Sequence, residues 1–209
     1  YKKFTQETKL YINCYHIKNR GYGNGHNYSI TRSSDYKYHL VLNPDVIVHK
    51  RSISRGIAFL EKNPKIGMLA PKISGVNNEP EMALRNYPSI SHLLLRRFFP
   101  ELNLTVKLNL ENSIYPGDKI IRRIPTTSGS FMLCNNFFLQ KIEGFDERFF
   151  LYMEDVDLCR RINRVSEIVY FPKTSITHIF DKGSYKNFSL LKIHIASLIK
   201  YFLKYGFSF

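Results

Sequence analysis

The residues from Gly144 to Arg161, GFDERFFLYMEDVDLCRR, constrain this chain more than any other stretch. Five acids (Asp146, Glu147, Glu154, Asp155 and Asp157) fall within twelve residues of a chain that is otherwise strongly basic, with a formal net charge of +14. Asp155, Leu158 and Ile162 follow helical spacing, so the acids are expected to open a helix. Carboxylates in a first helical turn are stabilised by the free N–H groups and the dipole there. A plain acidic turn with a core face behind it is therefore one reading. The other starts from the apolar wall of Phe145, Phe149, Phe150, Leu151 and Tyr152 that leads into Glu154-Asp155. A carboxylate beside apolar rings gains basicity by desolvation, which suits a general base.

At 209 residues with 44% hydrophobic content, the chain has the size and composition of one globular domain. The positive charge calls for an anionic partner: phosphate groups, nucleic acid or an acidic membrane surface. No recognition helix, zinc motif or RNA-binding motif is visible, which argues against nucleic acid. Cys14, Cys134 and Cys159 are far apart and odd in number, so they form no disulfide framework and fit a reducing compartment. No apolar run reaches membrane-spanning length.

Three further stretches carry candidate chemistry. Asn19 to Asn27 reads NRGYGNGHN, where Gly21, Gly23 and Gly25 permit a tight turn and close approach to a ligand. Arg20 within it could meet a phosphate. Tyr38 to Leu42 is a buried-type strand that ends in Asn43-Pro44-Asp45, good turn chemistry and also the place where open α/β sheets bind ligands. Ser128 to Cys134 is a strand whose small residues Gly129 and Ser130 either pack closely or line a site. Further strands are expected over Leu10–Tyr15, over Ile66–Ile73 with a break at Pro71, and over Glu167–Phe171 with Pro172 ending it. Ile176-Thr177-His178 follows. Helices are expected over Ser52–Asn63 and Phe137–Ile142. Glu81 to Val106 mixes Arg85, His92, Arg96 and Arg97 with apolar residues. It is either a helix with a solvated basic face or a surface for anionic lipid. Lys119, Arg122 and Arg123 are placed to close over a diphosphate. The tail from Tyr185 to Phe209 is a basic amphipathic helix, which either lies in a membrane interface or packs on the core with snorkelling lysines.

The pattern Gly-Phe-Asp-Glu-x-Phe-Phe-x-Tyr-x-Glu-Asp-x-Asp-Leu-x-x-Arg resembles the acceptor-side motif of inverting family-2 glycosyltransferases, closest to the rhamnosyltransferase-like enzymes of bacterial polysaccharide assembly. The glycine run, Asn43-Pro44-Asp45, Gly129 and His178 fall in the family's order. The resemblance implies a GT-A-type single α/β domain with a mixed sheet flanked by helices. It makes Asp155 the catalytic base, with Glu154, Gly129, Ser130, Phe150 and Tyr152 toward acceptor and sugar. Arg20, Gly23, Asn43, Asp45 and Ser184 fall at nucleotide or phosphate positions. Asp45 and His178 would hold Mn2+ or Mg2+. The implied donor is a dTDP- or UDP-sugar, with dTDP-rhamnose favoured by the subgroup, and the acceptor is a free or lipid-linked saccharide. The expected location is cytoplasmic, peripheral on the inner face of a bacterial plasma membrane.

The resemblance covers about residues 10 to 185, with residues 186–209 as a separate basic helix. Family members carry two more strand–helix units ahead of Leu10, so the domain is expected to be truncated at its N-terminus. A non-catalytic relative that binds a partner or an anionic membrane is the alternative reading.

Overall fold

The computed structural model describes residues 13–33, 35–79, 86–89, 119–179 and 188–206. Its elements, in chain order, are α1 (Tyr22–Arg32), β1 (Tyr38–Leu42), β2 (Val46–Val48), α2 (Ser52–Lys62), β3 (Ile66–Ser74), β4 (Arg122–Arg123), β5 (Phe131–Asn135), α3 (Asn136–Lys141), α4 (Glu154–Ile162), β6 (Glu167–His178) and α5 (Phe188–Tyr205). One mixed sheet runs in the order β1-β5-β3-β6-β2, with β4 also paired to β6. β3 and β6 are parallel, and β5 runs antiparallel between β1 and β3.

Alternation along the central strands builds two cores, one on each face. Met132 and Cys134 of β5, Met68 and Ala70 of β3, and Ile168 and Tyr170 of β6 meet α1, α3 and α4. Phe131 and Leu133, Leu69 and Ile73, and Val169 and Phe171 face the other way, toward Ile53, Ile57 and Leu60 of α2. Strands buried on both faces read as continuous apolar runs, which is why β3 and β5 stood out in the sequence. Helices on both faces of a mixed sheet are the architecture the resemblance implied.

Several local expectations are corrected. Pro172 does not end its strand: β6 runs unbroken from Glu167 to His178. Between the pairs Ala70–Tyr170 and Lys72–Ser175, β6 advances five residues and β3 two, so the prolines sit in an irregularity of the ladder where no N–H is needed. Pro71 is accommodated at the same point, and β3 is likewise continuous. Residues 13–15 are not in a strand, and Leu10 to Ile12 lie outside the described residues. Arg122 and Arg123 pair with Tyr170 and Val169, eight or more residues along β6 from His178 and thus roughly 25 Å from it. They do not close over the site formed at His178, and Arg123 instead pairs with Glu167. The basic stretch 81–106 lies outside the described residues except for 86–89.

Candidate active site

The direction of each strand decides where the chemistry gathers. β1 ends at Leu42 opposite Phe131, the first residue of β5, and β6 ends at His178 opposite Val46. Asn43, Asp45, Gly129, Ser130 and His178 therefore share one edge of the sheet, the edge where strands of such folds present ligands.

At that edge Nε2 of His178 lies 3.5 Å from Oδ2 of Asp45, although 133 positions separate them in sequence. The backbone holds this pairing, because Ile179 N–H donates to the Asp45 carbonyl at 2.8 Å. Oδ1 of Asp45 is buried without a hydrogen-bond partner among the described residues. A carboxylate and an imidazole nitrogen form a donor set that suits a divalent ion such as manganese. No cluster of three or more His, Cys, Asp or Glu able to hold a metal occurs among the described residues. A two-ligand site of this kind fits an ion whose remaining positions go to substrate phosphates and water.

The second half of the site is the N-terminus of α4. Oδ1 of Asp155 accepts from Val156 N–H at 2.8 Å, and Oδ2 accepts from Gly129 N–H at 3.2 Å. Two backbone donors thus hold a half-buried carboxylate in one orientation with lone pairs to spare. Glu154 beside it is only 6% exposed, and its Oε2 has no partner among the described residues. Burial first, then the neighbouring Asp155 charge, pushes the Glu154 carboxyl up to about 8. Burial and the neighbouring carboxylate thus favour the protonated form of Glu154 at neutral pH.

Tyr22 joins the two halves. Its hydroxyl lies 2.9 Å from Oδ1 of Asn43 and 2.8 Å from the Gly129 carbonyl. Burial first, then the Glu154, Asp155 and Asp45 charges, pushes this phenol well above its ordinary range. In the sequence Tyr22 is the Tyr of NRGYG, and its only local signal is its place among the glycines.

The glycine run is not a loop. Only Gly21 has a positive φ, at 112°, and α1 begins at once with Tyr22. A Cβ on Gly21 would stand 2.6 Å from the Phe150 carbonyl oxygen, and Tyr22 N–H donates to that same oxygen at 2.8 Å. Gly23 is buried in the helix, and a Cβ there would lie 2.7 Å from Cβ of Phe145. Its role is close packing, not presentation of backbone to a diphosphate. Arg20 is exposed at the mouth of the helix, and its charge helps hold Glu147 down. Ser184 lies outside the described residues.

Most of the long acidic motif turns out to be scaffold. Glu147 accepts from Asn24 and Asn27 on α1, and Asn27 exchanges two further bonds with the backbone of Phe145. Asp157 is fully buried and accepts from Arg161, Lys204 and Tyr205. Arg161 also donates to the carbonyls of Ile142 and Gly144. Tyr152 and Met153 both have left-handed φ, at 68° and 66°, in the turn that delivers Glu154. Tyr152 stacks on His194 of α5 with centroids 4.6 Å apart, and Phe150 is 41% exposed at the surface beside it. The motif is long because a neighbouring helix, a buried ion-pair network and a left-handed turn together place the Glu154-Asp155 pair.

Raising the pH tests the Glu154 assignment. A carboxyl whose folded pKa is raised adds stability below its unfolded value near 4.5 and loses it as pH rises toward about 8. Glu154→Gln is therefore expected to stabilise the protein increasingly over that window, by up to about 1.4 kcal/mol per pH unit. Denaturant melts of both proteins between pH 5 and 9 would show parallel curves if Glu154 were ionised throughout.

No protein-family model matches the chain. The chain is 31% identical over 144 residues to the N-acetylglucosaminyl-diphospho-decaprenol L-rhamnosyltransferase of Mycobacterium tuberculosis, across 66% of this chain and 46% of that protein. It thus spans about half the length of that relative. To rhamnosyltransferase WbbL of Escherichia coli K12 it is 28% identical over 202 residues, across 91% of this chain and 74% of that one. Among solved structures, GalNAc-T7 with UDP, GalNAc and Mn2+ superposes with a TM-score of 0.63 at 12% identity, covering 87% of this chain and 34% of that one. At such identity the superposition speaks for the fold, and it is the GT-A fold. By its sequence relatives the chain is similar to bacterial rhamnosyltransferases, and its architecture is the GT-A fold of glycosyltransferases.

Proposed function

We propose that this chain carries the catalytic centre of an inverting sugar transfer from a nucleotide-diphosphate sugar to a saccharide hydroxyl in bacterial surface polysaccharide synthesis. The donor is a dTDP- or UDP-sugar, with dTDP-rhamnose first because the relatives are named rhamnosyltransferases. The acceptor is a saccharide, free or linked to a polyprenyl diphosphate, as the mycobacterial relative's name describes for that protein. A lipid-linked acceptor puts the reaction at the cytoplasmic face of a membrane.

The observation that carries this reading is the run of hydrogen bonds from Asp155 through Gly129 and Tyr22 to Asn43, two positions before Asp45 of the Asp45–His178 pair. In the proposed step Asp155 takes the proton of the acceptor hydroxyl. The acceptor oxygen attacks the anomeric carbon from the side opposite the nucleotide. The bond from that carbon to the diphosphate oxygen breaks, and the diphosphate leaves with its electron pair. One displacement without a covalent intermediate inverts the centre. Asp45 and His178 would hold Mn2+ or Mg2+, which when bound supplies charge stabilisation for the leaving diphosphate. Neutral Glu154 can donate a hydrogen bond to a sugar oxygen. Buried hydroxyls of Thr127 and Ser130, without partners among the described residues, are further polar groups for a hydroxyl-rich ligand.

A donor panel tests the reading. With the full-length protein and manganese, dTDP-rhamnose is expected to turn over faster than the UDP-sugars. Asp45→Ala is expected to lower turnover at limiting metal and to raise the manganese concentration needed. No turnover of any nucleotide sugar with either metal would overturn the proposal.

A further inference from the structure

Helix α5 has two apolar faces, and among the described residues only one is packed against the domain. On the inner face Ser197, Tyr201 and Phe202 are buried, and Leu198 and Tyr205 pack with them against Phe149 and Met153. On the outer face Phe188 is 69% exposed, Leu191 51%, Ile195 49%, Ile199 55% and Leu203 72%. Single exposed apolar side chains are ordinary, but four of these recur at every fourth position and form one stripe about 18 Å long. Lys192 is exposed beside this stripe, Lys200 reaches back to the Arg148 carbonyl, and α5 contains no acid. The Lys192 ammonium sits 5.0 Å from the ring centroid of Phe188.

We propose that this outer face is a docking surface for an anionic lipid bilayer, with α5 lying in the plane of the headgroups. Charge complementarity selects the occupant. An acid-free helix with Lys192 beside its apolar stripe, on a chain of net charge +14, matches a negatively charged surface. The helix lies on the bilayer and does not cross it. No helix among the described residues is long and apolar enough to span, and the inner face is tied down. Ser197 donates to the Leu151 carbonyl, and Lys204 bridges Asp146 and Asp157. A second copy fits less well. A stripe about 18 Å long and one helix (~10 Å) wide falls far short of the roughly 800 Å² per partner of a stable dimer. The inference draws its purpose from the lipid-linked acceptor proposed above, but its test needs no sugar donor, so either reading can fail alone.

The experiment is co-sedimentation of the full chain with phosphatidylcholine vesicles, with and without phosphatidylglycerol, at low and high salt. Binding is expected only to the anionic vesicles and is expected to fall with salt. The double variant Ile195→Gln, Ile199→Gln is expected to lose at least tenfold in affinity while its melting curve stays in place, because both side chains are already exposed. Lys192→Gln is expected to cost about fivefold, and it reads the same point should the double variant fold poorly. Three results would overturn the proposal: no binding by the wild type, equal binding by the variants, or a wild-type dimer that the double variant dissociates.

Discussion

Asp155→Asn is expected to lower sugar transfer by about 10²–10⁴-fold, the range associated with removing a positioned general base. The amide keeps the shape of the side chain, and its oxygen can keep the shorter bond from Val156 N–H while its NH2 takes the place of the oxygen that accepts the longer one from Gly129. Donor affinity, measured by nucleotide-sugar titration, is therefore expected to stay within about twofold, so the loss falls on kcat. Glu154→Gln provides the contrast. A residue that is neutral at pH 7 by burial loses little when its carboxyl becomes an amide. Near wild-type transfer by Asp155→Asn, or a deeper loss in Glu154→Gln, would reverse the two assignments.

The second large effect is on stability. Asp157→Ala is expected to cost about 3–5 kcal/mol, because it strands the donors of Arg161, Lys204 and Tyr205 around an empty carboxylate position. For a domain of this size that corresponds to a fall in Tm of roughly 10 °C or more. Both Asp157 oxygens are taken up by donors from α4 and α5. Calorimetry on Asp157→Ala and Lys204→Met separates the network from the site, since Lys204→Met removes one donor and leaves the Arg161 and Tyr205 bonds. A shift of less than about 2 °C in Asp157→Ala would show that the network contributes little.

What could be read in advance follows from how local each signal is. The acidic helix was legible because its start, its apolar spacing and its carboxylates all lie within nine residues. The strand Tyr38–Leu42 was legible for the same reason. The meeting of Asp45 and His178 was not legible from spacing at all. It depends on β2 folding back against the end of β6, and only the resemblance to a known family suggested it. Two expectations failed because a local rule was overridden by packing. Glycines at positions 21 and 23 read as a turn, yet Phe150 and Phe145 press so closely that a helix can form there only with glycine. Pro172 read as a strand end, yet the ladder bulges around it. The lysines of the tail are not equivalent, which the sequence did not reveal: Lys204 is enclosed by two carboxylates, Lys200 donates to the Arg148 carbonyl, and Lys192 is exposed.

The two consecutive left-handed residues before Glu154 bear on how the protein can be handled. Such backbone costs on the order of 1–3 kcal/mol per residue and persists only where its surroundings hold it. Here the holders are His194 stacked on Tyr152, Ser197 bonded to Leu151, and Tyr201 and Phe202 around Met153, all from the last helix. Trimming the chain ahead of residue 188, or forcing α5 aside with a bulky C-terminal fusion, would leave every strand of the sheet paired. The turn that aims the carboxylates would lose its supports. A preparation shortened in this way could pass a secondary-structure check and still be inert, so its inactivity would say nothing about the chemistry of the intact enzyme.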